Sequence, residues 1–142
     1  MLQERFSTAL HNTARAWRQA VDRRLKFLGV SQASWMTIAV AAKAPTPLSQ
    51  SELADRLAVE GATMVTMIDR LVKAGLVLRV ASTTDRRVKR VVLTEAGNRL
   101  YDKVRAEAAA FRHELLANVD PGQLSAATEL LEKLHDILQA GT

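Results

Sequence analysis

The segment from Ser49 to Leu93 constrains the fold more than any other, because two short helical patterns and a hairpin pattern follow one another within it. Ser49 and Glu52 have the capping-box spacing ahead of an apolar stripe, which predicts the start of a short helix. A tight turn at 59–61 separates this helix from a second apolar series, which stops at Gly75. Two short helices joined by such a turn form a helix-turn-helix pattern.

A β-hairpin with a basic tip is predicted directly after the second helix. The segments 77–81 and 88–93 are rich in β-branched residues, which favours two strands. Between them lies a polar, turn-forming stretch that ends in Arg86 and Arg87. A strand pair that extends from a helix-turn-helix in this way is called a wing below.

The positive charge of the chain is concentrated in this same region. The formal net charge is +5, and the segment 61–90 alone holds seven Lys or Arg residues against two acidic residues. Basic and acidic residues balance in the rest of the chain. A local excess of this kind favours a polyanionic partner.

Long amphipathic helices are predicted on both sides of the winged segment. Apolar residues recur at helical spacing from Phe6 to Leu28, ahead of Gly29, and again from Leu100 to Val119. A last helix carries a coiled-coil type seam from Leu124 to Leu138.

A further helix from Ser31 to about Ala42 is apolar almost all round and is expected to be buried. The predicted fold class is therefore α+β and mostly α, a winged helix-turn-helix with long N- and C-terminal helices. We expect one domain over 1–142, with a winged helix-turn-helix lobe at 31–93 and long helical segments at 1–30 and 94–142.

The second helix of the helix-turn-helix offers a polar outer face. In such motifs this helix enters the major groove, where base edges are read. Short hydroxyls near its start can reach bases or phosphates, and the two later cations suit phosphates. The residues predicted to contact DNA from this helix are Thr63, Thr66, Arg70 and Lys73.

The wing supplies the second set of candidate DNA contacts. An arginine on a wing can enter a narrow minor groove while flanking bases neutralise phosphates. The acidic residue at the tip is expected to hold a guanidinium by a bidentate pair and so to set the tip geometry. The wing set consists of Asp85, Arg86, Arg87, Lys89 and Arg90.

Two stretches of the chain resemble the winged helix of MarR-family transcriptional regulators. The first, 71–77, is Leu-Val-Lys-Ala-Gly-Leu-Val, and the second, 84–97, contains Asp-Arg-Arg-Val-Lys-Arg leading into Leu-Thr, which is specific to that context. The resemblance runs over nearly the whole chain. Trp17-Arg18, Arg24-Leu25 and Trp35 are similar to the SlyA-like branch of the family.

The resemblance implies an obligate homodimer, in which 1–30 and 94–142 are dimerisation helices that form the interface. The segment 31–93 would then be the DNA-binding lobe, and the two winged lobes of the dimer would bind a pseudo-palindromic operator in double-stranded DNA. It also implies that Thr63 and Thr66 contact bases and that Arg87 enters the minor groove. Thr66 stands where the SlyA-like branch usually has arginine, so we expect the operator sequence to differ from that of relatives.

The resemblance further implies a repressor released by a small aromatic carboxylate or phenol, which binds between the dimer helices and the winged lobe. A cation and aromatic walls would suit such a ligand. The candidate lining residues are Arg15, Trp17, Arg18 and Trp35. The competing interpretation assigns both tryptophans to the core and both arginines to solvent.

Other function classes lack sequence support. The chain has no cysteine, which excludes disulfides, thiol nucleophiles and thiolate metal sites. It contains no nucleophile-elbow, P-loop, dinucleotide-binding or zinc-protease motif, and its three histidines lie far apart, so we expect no enzyme activity, cofactor or metal site.

No apolar run approaches the roughly 18 residues of a membrane span, so we expect no membrane partner and a cytoplasmic location. The alternative function is a winged helix that binds protein or RNA. Such a module would not need the charge excess at 61–90, and salt-dependent binding to duplex DNA distinguishes the two.

Overall fold

The computed structural model describes residues 1–141. Its elements, in chain order, are α1 (Leu2–Arg24), a 3₁₀ turn (Lys26–Leu28), α2 (Gln32–Lys43), β1 (Leu48–Ser49), α3 (Gln50–Leu57), α4 (Gly61–Lys73), β2 (Val77–Ala81), β3 (Lys89–Leu93), α5 (Glu95–Leu116) and α6 (Pro121–Ala140). The predicted fold class, an α+β and mostly helical winged helix-turn-helix, is confirmed.

The helix boundaries that local side chains specify agree with the boundaries predicted from the sequence. The hydroxyl of Ser31 accepts a bond from the Ser34 backbone N–H at 3.1 Å and caps α2. Ser49 and Glu52 form a reciprocal capping box at the start of α3. After α4, Gly75 adopts the left-handed conformation, with φ of +77°, that favours glycine at this position.

Two helix boundaries differ from the prediction. α1 ends at Arg24, and a 3₁₀ turn carries the chain on to Gly29, because the tighter turn satisfies the last carbonyls of the helix. Gly61, predicted in the inter-helix turn, is the first residue of α4. The reversal lies earlier, at Ala58, which takes a left-handed conformation with φ of +54°.

The sheet has three antiparallel strands in the order β1, β3, β2. β2 has the predicted bounds, whereas β3 begins one residue later than expected because the Val88 N–H closes a turn on the Asp85 carbonyl. The sequence did not predict β1, since a strand of two residues has no periodicity to detect.

One hydrophobic core holds the helix-turn-helix and the sheet together. Ile38 of α2, Leu53 of α3 and Ile68 of α4 have no exposed surface, and Val77 and Val91 close the core from the strands. Three helices and a sheet therefore share one packed interior. The position of α4 is set by this packing rather than by its own helix propensity.

The chain divides into two compact units, 1–109 and from Ala110 onward. In the second unit, Asp120 caps α6 by accepting a bond from the Gln123 backbone N–H at 3.0 Å, and Pro121 occupies the first helical position. The apolar residues of α6 are largely exposed, with Leu138 at 69%.

Among the described residues, no helix is long and apolar enough to cross a membrane. The boundaries predicted at 30/31 and 93/94 remain predictions.

Candidate nucleic-acid interface

The outer face of α4 carries the predicted polar stripe in full. Its inner face buries Met64, Met67, Ile68 and Leu71. The side chains on the opposite face are all exposed, and they are Thr63, Thr66, Arg70 and Lys73. Burial of one face against the core thus turns two hydroxyls and two cations towards solvent on a single helix.

An apolar side chain is exposed at the edge of this outer face. Val65 is 42% exposed although its residue type suggested a core position. A valine there could contact a thymine methyl group in the major groove. The neighbouring Thr66 hydroxyl bonds the Ala62 carbonyl at 3.2 Å while its side chain remains exposed.

Arg79 connects the wing to α4. From strand β2, its Nε donates to the side-chain amide oxygen of Gln50 at 2.6 Å, and its Nη2 donates to Asp69 Oδ1 at 2.5 Å and to the Val65 carbonyl at 3.4 Å. One guanidinium therefore links β2, α3 and α4. The sequence counted Arg79 only as a positive charge, and no local signal marked it as a cross-link.

The buried Ser82 side chain forms hydrogen bonds with the backbone of the wing tip. It is 5% exposed, and its hydroxyl accepts bonds from the backbone N–H groups of Thr84 at 3.2 Å and Asp85 at 3.4 Å. Its own N–H donates to the Val88 carbonyl at 2.9 Å. These bonds satisfy backbone groups that the turn would otherwise leave without partners. Sequence reasoning treated Ser82 only as a turn former.

Asp85 contacts Arg87, but not by the bidentate pair expected. A single carboxylate oxygen, Oδ1, accepts the Arg87 backbone N–H at 3.0 Å and the Arg87 Nε at 3.3 Å. The difference has a local cause, because the backbone bond holds Oδ1 towards Arg87, so that both bonds go to this one oxygen. The Arg87 side chain remains 91% exposed, and Arg86 is exposed beside it.

The last two wing residues differ in environment. Lys89 is exposed, whereas Arg90 donates to the Pro47 carbonyl at 3.0 Å and to Glu52 Oε1 at 3.2 Å. The Arg90 side chain is 34% exposed. It therefore has a structural role, in tying β3 to the start of α3, that the sequence did not indicate.

Hydrogen bonds at the capping box and the nearby Arg90 lower the pKa of Glu52. The larger cause is the bonding of Glu52 to the backbone and the side chain of Ser49, and the charge of Arg90 acts in the same direction. The carboxylate is thus held in the charged form that both partners require.

The four candidate ligand residues occupy different environments. Trp35 is 8% exposed, and its indole N–H donates to Asp22 Oδ1 at 2.9 Å, which joins α2 to α1. Trp17 is half-buried, and Arg15 and Arg18 are exposed. Their assignment as effector contacts remains a prediction.

Comparison with known proteins agrees with this architecture. A family model described as MarR family matches residues 30–89. The crystal structure of transcriptional regulator PA3341 is 37% identical, covers 95% of this chain and 98% of its own, and superposes with a TM-score of 0.87.

Two more distant structures share the fold. Staphylococcus aureus MarR in complex with salicylate and kanamycin is 22% identical, with a TM-score of 0.86 over 100% of this chain and 95% of its own. Streptococcus pneumoniae FabT in complex with DNA is 22% identical, with a TM-score of 0.80 over 99% of each chain. Together, the winged helix-turn-helix architecture, the family model and the 37% identical regulator establish that this chain belongs to the MarR family.

Proposed function

We propose that the protein is a dimeric regulator of transcription that binds duplex DNA through α4 and the wing. The observation that carries the proposal is the Arg79 cross-link, because it couples the strand leading to the basic wing tip directly to the helix with the exposed polar stripe. A rigid link between two DNA-contacting elements allows both to engage one duplex at the same time.

The proposed contacts divide by the chemistry of the side chains. Thr63, Thr66 and the exposed Val65 are assigned to base edges, while Arg70 and Lys73 are assigned to phosphates. The assignment follows from the single exposed face that the four polar residues share and from the exposure of Val65 at the edge of that face.

On the wing, Arg87 is assigned to the minor groove, with Arg86 and Lys89 beside it on phosphates. Asp85 acts indirectly, because it orients Arg87 through the turn. Arg90 remains in the wing set of candidate DNA contacts, but its bonds to Glu52 and Pro47 make its main contribution structural.

A homodimer is supported by apolar residues that remain exposed on the terminal helices. Leu2 is 72% exposed and Phe6 39% on α1, while Ile137 is 57% and Leu138 69% on α6. Exposed apolar stripes on long helices are typical of surfaces that a second subunit covers. A two-fold dimer would place its half-sites about 10 base pairs apart, centre to centre, on a pseudo-palindromic operator.

The proposal includes repression that a small molecule relieves, and a non-enzymatic role in the cytoplasm. Support for a ligand comes from fold-level relatives, one of which was solved with salicylate and another with p-coumaroyl-CoA. Membership of the SlyA-like branch rests on the tryptophan and arginine pattern of α1 and α2.

Selection of bound duplexes from a random pool tests the proposal. We expect enrichment of an inverted repeat, and binding of the selected duplex should weaken steeply as salt concentration rises. Failure to enrich any duplex, together with binding of an RNA or a protein, would favour the alternative winged-helix functions. The matched control is the Arg87→Ala/Lys73→Ala double variant, which should lose enrichment while keeping its fold.

A further inference from the structure

The outer edge of β2 carries backbone groups that β3 does not pair. β2 is an edge strand, because the strand order is β1, β3, β2. The Ser82 N–H donates to the Val88 carbonyl at 2.9 Å, so residue 82 occupies a hydrogen-bonding position opposite β3. Such positions alternate along an antiparallel strand. The N–H and C=O groups of Val77, Arg79 and Ala81 therefore point away from β3.

Only the second half of this edge is accessible. Val77 is 1% exposed, so the start of the edge is covered. Arg79 is half-buried and Ala81 is exposed, and no backbone group of the described residues bonds to either of them on this side. The stretch 79–81, with its outward N–H and C=O groups, is called the wing edge below.

The wing edge lacks the features that usually protect an open strand. Such strands commonly carry an exposed lysine, a proline or a bulge. Here Leu78 is 52% exposed and Val80 39%, both on the sheet face opposite the buried Val91. The only charged residue of β2, Arg79, directs its guanidinium to Asp69. Free backbone groups beside exposed apolar side chains favour pairing with another strand.

We propose that the wing edge pairs with the wing edge of a second copy of this chain, antiparallel about a two-fold axis at Val80. Arg79 of one copy then faces Ala81 of the other, and their N–H and C=O groups form four bonds between the copies. Val80 faces its own counterpart, with Leu78 diagonally beside it. The small Ala81 side chain leaves room for Arg79 to keep its bond to Asp69.

The charge of the wing tips favours the antiparallel arrangement. Each tip lies about five residues beyond Val80, and a strand rises about 3.3 Å per residue, so antiparallel pairing holds the two tips roughly 30 Å apart. That distance is several times the Debye length of about 8 Å. Parallel pairing would bring Arg86 and Arg87 of both copies together. The cation opposite Val80 in β3, Arg90, is already bonded to Glu52.

The small size of the wing edge determines where this pairing forms. A three-residue edge buries far less than the roughly 1,200 Å² of a stable interface, so pairing between free molecules is weak. Two copies bound to neighbouring operators on one duplex have a high effective concentration. This step rests on the proposed function, and it predicts cooperative binding to paired operators.

A single introduced cysteine tests the pairing without DNA. The chain has no cysteine, so Val80→Cys supplies its only thiol. Residues that face each other in this register have Cα atoms about 4.5 Å apart, within the range that a disulfide spans. Air oxidation of the full chain at millimolar concentration should link two chains and raise the native mass in steps of the unoxidised protein.

Leu78→Cys is the matched control for this cross-link. Leu78 is more exposed than Val80, so random collisions would oxidise Leu78→Cys at least as fast. The two-fold axis instead predicts that Val80→Cys cross-links about tenfold faster, because only position 80 faces itself.

A pair of backbone variants tests the role of the edge on DNA. Ala81→Pro removes an outward N–H that β3 does not use, whereas Ala81→Thr keeps it. The duplex carries two selected operators at spacings varied over one helical turn. At the best spacing, the unmodified protein and Ala81→Thr should bind the second operator about tenfold more tightly than the first. Ala81→Pro should lose this cooperativity and bind a single operator normally.

The proposal is overturned if Leu78→Cys cross-links as fast as Val80→Cys, or if the disulfide leaves the native mass unchanged. Full cooperativity in Ala81→Pro, or none at any spacing in the unmodified protein, contradicts the role on DNA while cross-linking at position 80 supports the pairing itself. A protein that cross-links at position 80 but binds no duplex contradicts the proposed function instead.

Discussion

At the scale of the residue, the basic segment 61–90 separates into cations that the fold uses and cations that it leaves exposed. Arg79 and Arg90 bond to Asp69 and Glu52, both of them acidic residues. The exposed members are Arg70, Lys73, Arg86, Arg87 and Lys89. Net charge alone thus overstates the number of side chains that are available to neutralise phosphates.

Arg87→Ala should cost on the order of 1 to 3 kcal/mol of binding free energy per subunit, with the largest loss on A·T-rich flanks where the minor groove is narrow. The reason is the 91% exposure of this side chain on a tip that Asp85 orders. Salt titrations on operator and flank-substituted duplexes measure the effect. Arg23→Ala removes an exposed arginine outside the basic segment and should bind normally. Equal affinity of Arg87→Ala and the unmodified protein at every salt concentration would remove Arg87 from the minor groove.

Glu52→Gln should reduce stability at neutral pH, and the difference should disappear in acid. The folded-state pKa of Glu52 is lowered below its ordinary value of 4.5 by the bonds with Ser49 and by Arg90. Its stabilising contribution is therefore complete above the unfolded pKa and is lost as the pH falls through the folded pKa. Urea unfolding between pH 3 and pH 7 measures this, with a neutral-pH difference of at most about 1 kcal/mol because the pair is partly exposed. Glu129→Gln, an exposed control on α6, should show no such pH-dependent difference.

At the scale of the element, two junctions hold the wing in position: the Arg79 cross-link to α4, and the turn from β3 into α5. In the second junction, Thr94 donates its hydroxyl to the Gly75 carbonyl at 2.6 Å and accepts the Gly97 N–H at 3.1 Å. Its own N–H donates to the Leu76 carbonyl at 3.0 Å. The end of α4 and the start of α5 are therefore joined through one threonine.

Arg79→Met should lower the free energy of unfolding by about 1 to 3 kcal/mol, because it removes a half-buried guanidinium and leaves the part-buried Gln50 amide oxygen without its charged donor. The control is Arg99→Met, which removes a surface pair with Glu95 at i,i+4 and should cost about 0.5 kcal/mol or less. Urea unfolding compares the two. Hydrogen exchange should also show faster opening of α4 in Arg79→Met. Equal stability losses in both variants would contradict the cross-linking role.

Gly97→Ala should destabilise the junction by about 1 to 3 kcal/mol, since an added Cβ would overlap the Leu76 carbonyl oxygen. Gly61→Ala provides the contrast, because nothing lies within 4 Å of its added Cβ and it starts a helix. That change should be neutral or stabilising by up to about 1 kcal/mol. Thermal unfolding measures the stability of both variants. A Gly97→Ala protein as stable as the parent would show that the backbone shifts to accommodate the added Cβ.

At the scale of the whole molecule, we expect a second subunit to cover the exposed apolar surface of the terminal helices. Leu131→Glu/Leu138→Glu changes two exposed leucines of α6, at 41% and 69% exposure, and should give a folded monomer with weakened operator binding. Sedimentation velocity at micromolar concentration measures the mass. Ser125→Glu on the same helix should remain dimeric. A double variant that still sediments as a dimer would place the interface elsewhere.

Local patterns were enough to predict most of the elements and the character of the candidate site. The caps at Ser31 and Ser49 and the glycine after α4 involve groups only a few residues apart, so the sequence alone determines them. The same holds for the polar stripe of α4, which follows from helical periodicity, and for the basic tip between two β-branched segments.

Tertiary structure decided the features that depend on distant partners. Arg90 meets Glu52 across 38 residues of sequence, and β1 exists only because β3 pairs with it. The contacts of Arg79 likewise require α3, α4 and the sheet to be packed first. A local pattern specifies which face of a helix is apolar, but the partner of that face is set by chain-wide packing. The sequence therefore determined that this chain has a DNA-binding winged helix, and only the packed core decided which of its cations remain exposed.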